Sequence, residues 1–130
     1  MSDILFVCTG NAARSQFAEA YYNQLTDPSN ATSAGTEVIV GKPLPDDVKA
    51  VLLEHEIDYE SLHRKQISKE LFEQASKVIL FTEKSLPEYL SRSDKVETFQ
   101  VDDPRGLGLQ AHRDAFEKII KIVQAELKAV

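Results

Sequence analysis

Short apolar runs alternate along the chain with segments in which apolar residues recur at helical spacing. This alternation is typical of an α/β fold in which helices wrap a parallel sheet. The predicted strands are Ile4 to Val7, Ala31 to Ser33, Lys77 to Thr82 and Lys95 to Val101. Since no repeat, linker or low-complexity stretch interrupts the pattern, we expect a single domain over residues 1–130.

The helical pattern is clearest near the end of the chain, where an apolar stripe runs along one side of a predicted helix. The stripe consists of Phe116, Ile119, Ile120, Val123 and Leu127. The charged residues expected to face water between them are Glu117, Lys118, Lys121 and Glu126. Further helices are predicted from Arg14 to Leu25, after Pro45, just before the third strand, and from Ser85 to Ser91, where Pro87 fits only in the first turn.

The carboxyl ends of the predicted strands carry most of the candidate chemistry. In open parallel sheets, ligands bind in the crevice outside these strand ends. The residues found there are Cys8, then Ser33-Ala34-Gly35, then Thr82-Glu83, and finally Asp102-Asp103-Pro104. A functional site is therefore expected along this edge.

Charge and cysteine content exclude several classes of function. The chain has 15 basic and 21 acidic residues and a net charge of −6, which argues against nucleic-acid or anionic-membrane partners. The early apolar run, Ile4 to Val7, is too short for a signal segment or membrane span, so we expect a cytoplasmic protein. One cysteine can form no internal disulfide, so Cys8 is there for packing or for reactivity.

The run Cys8-Thr9-Gly10-Asn11-Ala12-Ala13-Arg14-Ser15 joins the first strand to the first helix. Its backbone N–H groups can converge on one anion, and the helix dipole favours negative charge there. Gly10 and Asn11 are the residues best suited to the positive φ of such a cradle. The residues expected to bind a phosphate or similar oxyanion are Thr9, Gly10, Asn11, Ala12, Ala13, Arg14 and Ser15.

Cys8 is the candidate nucleophile of this loop. A lone cysteine is often a buried, inert residue. Here, however, Arg14 can hold two oxyanion oxygens, and Ser15 can donate a hydrogen bond to the sulfur. Because a helix N-terminus also favours the thiolate, the pattern indicates covalent oxyanion chemistry at Cys8.

A thiolate that displaces an alkoxide or phenoxide needs a carboxyl group as acid and later as base. Asp103 is our choice, because it follows the fourth strand and Pro104 stiffens its loop. The competing pair Asp27-Pro28 is expected about 18 Å away, since helix one rises about 1.5 Å per residue toward the opposite edge. Asp102 and Glu83 are weaker candidates.

Other polar residues are assigned smaller roles. Ser33 could hydrogen-bond Asn11 and support the loop, although it could equally be an ordinary turn serine. His55 is expected to be packed or half-buried, whereas His63 and His112 are expected at the surface. These scattered histidines predict no metal site.

With Cys8-x5-Arg14-Ser15, Ser33-Ala34-Gly35-Thr36 and Asp103-Pro104, the sequence resembles the low-molecular-weight protein tyrosine phosphatases and the arsenate reductases that share their fold. The resemblance implies a three-layer αβα sandwich around a four-stranded parallel sheet of order 2-1-3-4. It also implies a phosphocysteine on Cys8, oxyanion binding by residues 9 to 14 and a transition-state clamp at Arg14. Asn11, Ser15 and Ser33 would support the loop, Asp103 would act as acid and then base, and neither metal nor cofactor would be needed.

The chain departs from the family pattern at informative positions. Ala13 stands where these phosphatases commonly carry a second cysteine, and residues 80–95 lack the cysteines of thioredoxin-coupled reductases. Cys8 thus has no internal resolving partner. The stretch 105–108, Arg-Gly-Leu-Gly, replaces the usual aromatics after Asp-Pro, and its glycines suggest a mobile loop.

These features leave several functions open. The first is hydrolysis of a phosphomonoester, on a phosphorylated protein or a small molecule, with phosphotyrosine-like substrates as the family model. The second is arsenate reduction in which an external thiol resolves the adduct on Cys8. A phosphocysteine carrier is less favoured, because such carriers lack an arginine in the role of Arg14. A non-catalytic oxyanion-binding module is the remaining alternative.

Overall fold

The computed structural model describes residues 3–26 and 30–128, so the pair Asp27-Pro28 lies outside the described residues. Within this part, a parallel four-stranded sheet has the order β2-β1-β3-β4. The strands are β1 (Ile4–Cys8), β2 (Ala31–Gly35), β3 (Lys77–Leu80) and β4 (Val96–Thr98). The predicted sheet and its strand order are therefore confirmed.

Strand lengths differ from the predictions at the carboxyl edge of the sheet. β2 continues to Gly35, which pairs with Cys8 in the register of β1. β3 and β4 end earlier than predicted. The carbonyls of Phe81 and Val101, just beyond those ends, accept hydrogen bonds from the Arg14 side chain. The last residues of these two predicted strands therefore bind the Arg14 side chain instead of extending the sheet.

Helices cover both faces of the sheet. They are α1 (Arg14–Leu25), α2 (Asp46–Glu54), α3 (Lys69–Gln74), α4 (Glu88–Ser91) and α5 (Leu109–Lys128). Alternate side chains of β1 point to opposite faces, as strand geometry requires. Phe6 packs in one core cluster with Phe17 of α1 and Phe116 of α5, whereas Val7 lies in a second cluster with Leu90 of α4. The expected three layers are thus present.

The apolar stripe predicted for the last helix faces the core, and Phe116, Ile119 and Val123 are fully buried. The water-facing position predicted for Glu126 is wrong. Its carboxylate pairs with Lys77 Nζ at 2.6 Å, because α5 crosses the start of β3 at that point. In the described residues, no helix is long and apolar enough to cross a membrane.

Candidate active site

Cys8 ends β1, the strand that lies between β2 and β3, and it is 2% exposed. The chain then curls over the sheet edge and enters α1 at Arg14. Asn11 adopts a left-handed backbone with φ 51°. The expectation of positive φ is therefore met at Asn11 and not at Gly10, whose φ is not positive.

The sulfur of Cys8 lies 2.9 Å from Ser15 Oγ. Asn11 Nδ2 donates hydrogen bonds to Ser15 Oγ at 2.8 Å and to Ser33 Oγ at 2.9 Å. Ser15 Oγ accepts from the amide and keeps its own hydrogen available to donate to the sulfur. Ser15 is thus placed as a hydroxyl partner for the sulfur.

The network continues to residues that sequence reasoning missed. Ser33 Oγ donates to Glu19 Oε1 at 2.7 Å, and Lys65 Nζ lies 3.6 Å from the same oxygen. Asn11 Oδ1 accepts from the Lys65 backbone N–H at 2.7 Å and from Gln16 Nε2 at 3.1 Å. Every hydrogen-bonding group of the Asn11 side chain is therefore used, which holds its unusual backbone.

Two of these missed residues, Gln16 and Glu19, lie on the same helix as Ser15. Gln16 is fully buried, and its Nε2 also donates to His63 O at 2.8 Å. Glu19 follows Ser15 by one helical turn, so both residues share a face. That spacing was the one signal available from sequence.

Gly35 brings β2 close to the loop. A β-carbon at this position would lie 2.6 Å from Thr9 O and 2.8 Å from Asn11 N. The backbones also bond directly, from Thr36 N to Cys8 O at 3.0 Å and from Glu37 N to Thr9 O at 2.8 Å. Only glycine permits this contact, and it ties the loop to the sheet.

Arg14 is buried beneath the loop at 7% exposure. Its Nη1 donates to Phe81 O at 2.8 Å and to Val101 O at 3.1 Å. Its Nη2 lies 3.6 Å from Asp103 Oδ2. Anchored on one nitrogen, the guanidinium presents its other side to the cavity that Cys8 also lines.

Asp103 lines that same cavity, which has a volume of about 100 Å³. Its Oδ1 accepts the Arg105 backbone N–H at 3.0 Å, and its Oδ2 lies 3.4 Å from Arg105 Nη2. The weaker candidates Asp102 and Glu83 are exposed and do not line the cavity. Asp47, at the start of α2, does line it and was missed, because only the fold brings α2 to this edge.

The histidine predictions were partly wrong. His112 is 3% exposed, with Nδ1 2.7 Å from Gly108 O and 3.7 Å from Asp47 Oδ2, because α2 covers the start of α5. His63 is exposed as predicted, whereas His55 is exposed although its ring lies 4.5 Å from that of Phe116. Across residues 3–26 and 30–128, no three His, Cys, Asp or Glu side chains are grouped to hold a metal ion.

Comparison with known proteins agrees with this geometry. The family model described as low molecular weight phosphotyrosine protein phosphatase matches residues 3–130, and the chain belongs to this family of hydrolases. It is 27% identical over 132 residues to a probable low molecular weight protein-tyrosine-phosphatase, EpsP, of Ralstonia solanacearum. That match covers 94% of this chain and 91% of the relative.

Solved structures extend the similarity to the whole fold. The low molecular weight protein tyrosine phosphatase of T. tengcongensis superposes with a TM-score of 0.87 at 26% identity, covering all of both chains. The YwlE arginine phosphatase of Geobacillus stearothermophilus superposes with a TM-score of 0.83 at 26% identity, covering 97% of this chain and 92% of its own.

Proposed function

We propose that this protein hydrolyses phosphomonoesters with Cys8 as nucleophile, Arg14 as oxyanion clamp and Asp103 as acid and base. The observation that carries the proposal is the hydrogen-bond chain from Asn11 through Ser15 to the Cys8 sulfur. It places a hydroxyl group against the nucleophilic sulfur at the base of a loop of backbone N–H groups. The phosphocysteine route is typical of the family to which the chain belongs.

In the first step, the Cys8 thiolate forms a bond to phosphorus as the bond from phosphorus to the leaving oxygen breaks. The backbone of residues 9–14 and the Arg14 guanidinium hold the equatorial oxygens, whose charge is greatest in the five-coordinate state. Asp103 gives its proton to the leaving oxygen. Asp103 suits this role because its carboxyl group shares the cavity with Cys8.

In the second step, a water molecule attacks phosphorus and the bond from sulfur to phosphorus breaks. The Asp103 carboxylate takes a proton from the water, so the same residue is acid first and base afterwards. Inorganic phosphate leaves, and Cys8 returns to the thiolate. Ser15 stabilises that leaving thiolate through the 2.9 Å contact to the sulfur.

The proposed substrates are phosphorylated proteins or small phosphomonoesters. Phosphotyrosine is the reference substrate of the family, and phosphoarginine belongs in the test because one similar structure is an arginine phosphatase. We also propose a cytoplasmic location, where the reducing environment would keep the lone Cys8 as a free thiol.

The test is a substrate panel of phenyl phosphate, phosphotyrosine peptides, phosphoarginine and arsenate, each with and without added thiol. We expect phosphate release without thiol, and its complete loss in Cys8→Ser. A phosphorylated Cys8, trapped by acid quenching and detected by mass spectrometry, would support the covalent route. Turnover of arsenate alone, and only with thiol, would instead establish the reductase.

A further inference from the structure

Arg64 is a second buried arginine close to the oxyanion loop, in the segment between α2 and α3. It is 9% exposed, and its Nη2 donates to Pro43 O at 3.0 Å. Within the described residues, its Nε has no hydrogen-bond partner, and no carboxylate lies within 4.0 Å to form an ion pair. A buried cation of this kind is costly unless an anion joins it.

The charges around Arg64 also favour binding of an anion. Burial lowers its pKa, the positive charge of Arg105 lowers it further, and Cys8 acts in the opposite direction. Arg64 and Arg105 also line the same cavity. Positive groups held near one another attract an anion between them.

A cavity of about 360 Å³ connects Arg64 to the catalytic loop. Its lining includes Lys42, Arg64 and Arg105, together with Gly10 and Ala12 of the loop. The cavity that contains Cys8 shares Gly10, Ala12 and Arg105 with it, so the two are neighbours across the loop. A leaving group attached to phosphate at Cys8 can therefore extend into this second cavity.

Among residues 3–26 and 30–128, no carboxylate forms an ion pair with Arg64. Glu37 and Asp46 also line the second cavity, yet neither forms an ion pair with Arg64. Arg105 Nη1 lies 3.8 Å from the position of a β-carbon on Gly10, which places this guanidinium over the loop. Three basic side chains and two carboxylates line the cavity, so this part of a chain of net charge −6 carries a small positive charge beside the oxyanion loop.

We propose that Arg64, assisted by Arg105 and Lys42, binds a second anionic group, a carboxylate or a phosphate, on the leaving group of the substrate. The enzyme would then prefer phosphomonoesters that carry such a group near the ester. This inference rests on the proposed function, and it names the class of substrate that the site selects.

The kinetic test compares 3-carboxyphenyl phosphate with its neutral amide, 3-carbamoylphenyl phosphate. We expect Arg64→Met to lower the ratio of kcat/KM, carboxylate over amide, by about tenfold, mainly through KM, because a hydrogen bond to a charged group is lost. The control is Arg92→Met, since Arg92 is 78% exposed and pairs with Glu88. It should leave the ratio unchanged. An equal loss for both substrates in Arg64→Met would overturn the proposal.

A peptide pair tests where the anionic group comes from. Two phosphotyrosine peptides differ only by Glu or Gln immediately before the phosphotyrosine. If the ratio of kcat/KM for these peptides also falls in Arg64→Met, the subsite recognises acidic peptides. If the ratio falls for the aryl phosphates alone, the subsite recognises small anionic substrates. No fall in either pair contradicts the inference.

Binding to Cys8→Ser, measured by calorimetry, separates this inference from the proposed function. The Cys8→Ser protein should bind the carboxylate about tenfold more tightly than the amide, and adding Arg64→Met should remove the difference. Wild-type protein that hydrolyses neither compound, with this binding difference intact, would contradict only the proposed function. Equal binding of both compounds would contradict the subsite.

Thermal unfolding checks that Arg64→Met is folded. Its melting temperature should change little, because removing a buried charge that lacks a counterion offsets the loss of the hydrogen bond to Pro43 O. If the variant melts early, Arg64→Lys replaces it in the kinetic test. This variant keeps the charge and loses the planar N–H fork, so it should lower the ratio of carboxylate over amide by a smaller factor, and an unchanged ratio would contradict the proposal.

Discussion

The two loops that meet at the carboxyl edge of the sheet are built in opposite ways. The loop of residues 8–15 is mostly buried, with Asn11 and Ser15 completely inaccessible to solvent. The loop of residues 102–108 is largely exposed, and Gly106 and Gly108 have φ of 78° and 92°. The first is fixed by side-chain hydrogen bonds from several elements. In the second, Asp103 contacts Arg14 and Arg105, and Leu107 N donates to Pro104 O.

This difference follows the two tasks proposed for the loops. Stabilising a developing oxyanion requires donors that are already oriented, since reorganising them during the reaction would cost free energy. Delivering a proton requires only that a carboxyl group reach the leaving oxygen, and a loop that moves can also admit substrate and release product. Arg14 touches both loops, so changes there should have the largest effect.

Among these variants, Arg14→Lys should cause the largest loss of activity. Lysine cannot reproduce the planar fork that bonds Phe81 O and Val101 O while facing an oxyanion. We expect kcat for phenyl phosphate to fall by about 10²- to 10³-fold. Steady-state kinetics measure this, with Arg92→Lys as the exposed control. A fall of less than tenfold would mean that charge alone is sufficient at this position.

Asp103→Asn tests the exposed loop of residues 102–108. The turnover of phenyl phosphate should fall by about 10²-fold, because the leaving oxygen loses its proton donor. With 4-nitrophenyl phosphate the fall should be much smaller, since that leaving group departs without a proton.

The matched controls for Asp103 are the neighbouring carboxylates. Asp102→Asn should change little, because Asp102 does not line the cavity of Cys8. Asp47 does line it, so Asp47→Asn is the sharper control. A larger loss in Asp47→Asn than in Asp103→Asn would reassign the acid to Asp47.

Asn11→Ala tests the buried loop of residues 8–15. The change leaves buried partners without their hydrogen bonds and puts alanine at a positive φ. We therefore expect the free energy of unfolding to fall by about 2 kcal/mol. Phosphate, as a competitive inhibitor, should also bind more weakly.

Asn23→Ala is the matched control for Asn11. It removes hydrogen bonds to the backbone of Ala31, at the opposite edge of the sheet. Urea unfolding should show a loss of stability in both variants, whereas phosphate inhibition should weaken only in Asn11→Ala. Unchanged inhibition in Asn11→Ala would show that the loop does not depend on this network.

Lys77→Met should give the smallest effect, since it touches neither loop. Hydrogen bonding to Glu126 raises the pKa of Lys77. The pair therefore stabilises the fold fully below the ordinary lysine pKa, and this contribution is lost as pH rises through the folded value. Because Lys77 is partly exposed, we expect about 0.5–1 kcal/mol at pH 7. Urea unfolding should show the difference from wild type at pH 7, and the difference should shrink as the pH rises above the ordinary lysine pKa, with kcat unchanged.

Local patterns predicted much of this molecule. The alternation of strands and helices predicted the sheet, and the residue types between Cys8 and Ser15 identified the loop, because both signals lie within short stretches. Asp47, Arg64 and His112 could not be identified in this way. Each one approaches the site only through packing of separate elements, and nothing in their own neighbourhoods distinguishes them from surface residues.

The close fit of Gly35 against the loop links ligand binding at the loop to the stability of the whole protein. The loop backbone is hydrogen-bonded to Thr36 and Glu37, directly after β2, so opening the loop would break contacts at the edge of the sheet. An oxyanion that binds the folded loop therefore shifts the global unfolding equilibrium, by about 2.7 kcal/mol at a hundred times its dissociation constant. Candidate substrates and inhibitors can thus be ranked by the melting temperature of Cys8→Ser, without any measurement of turnover.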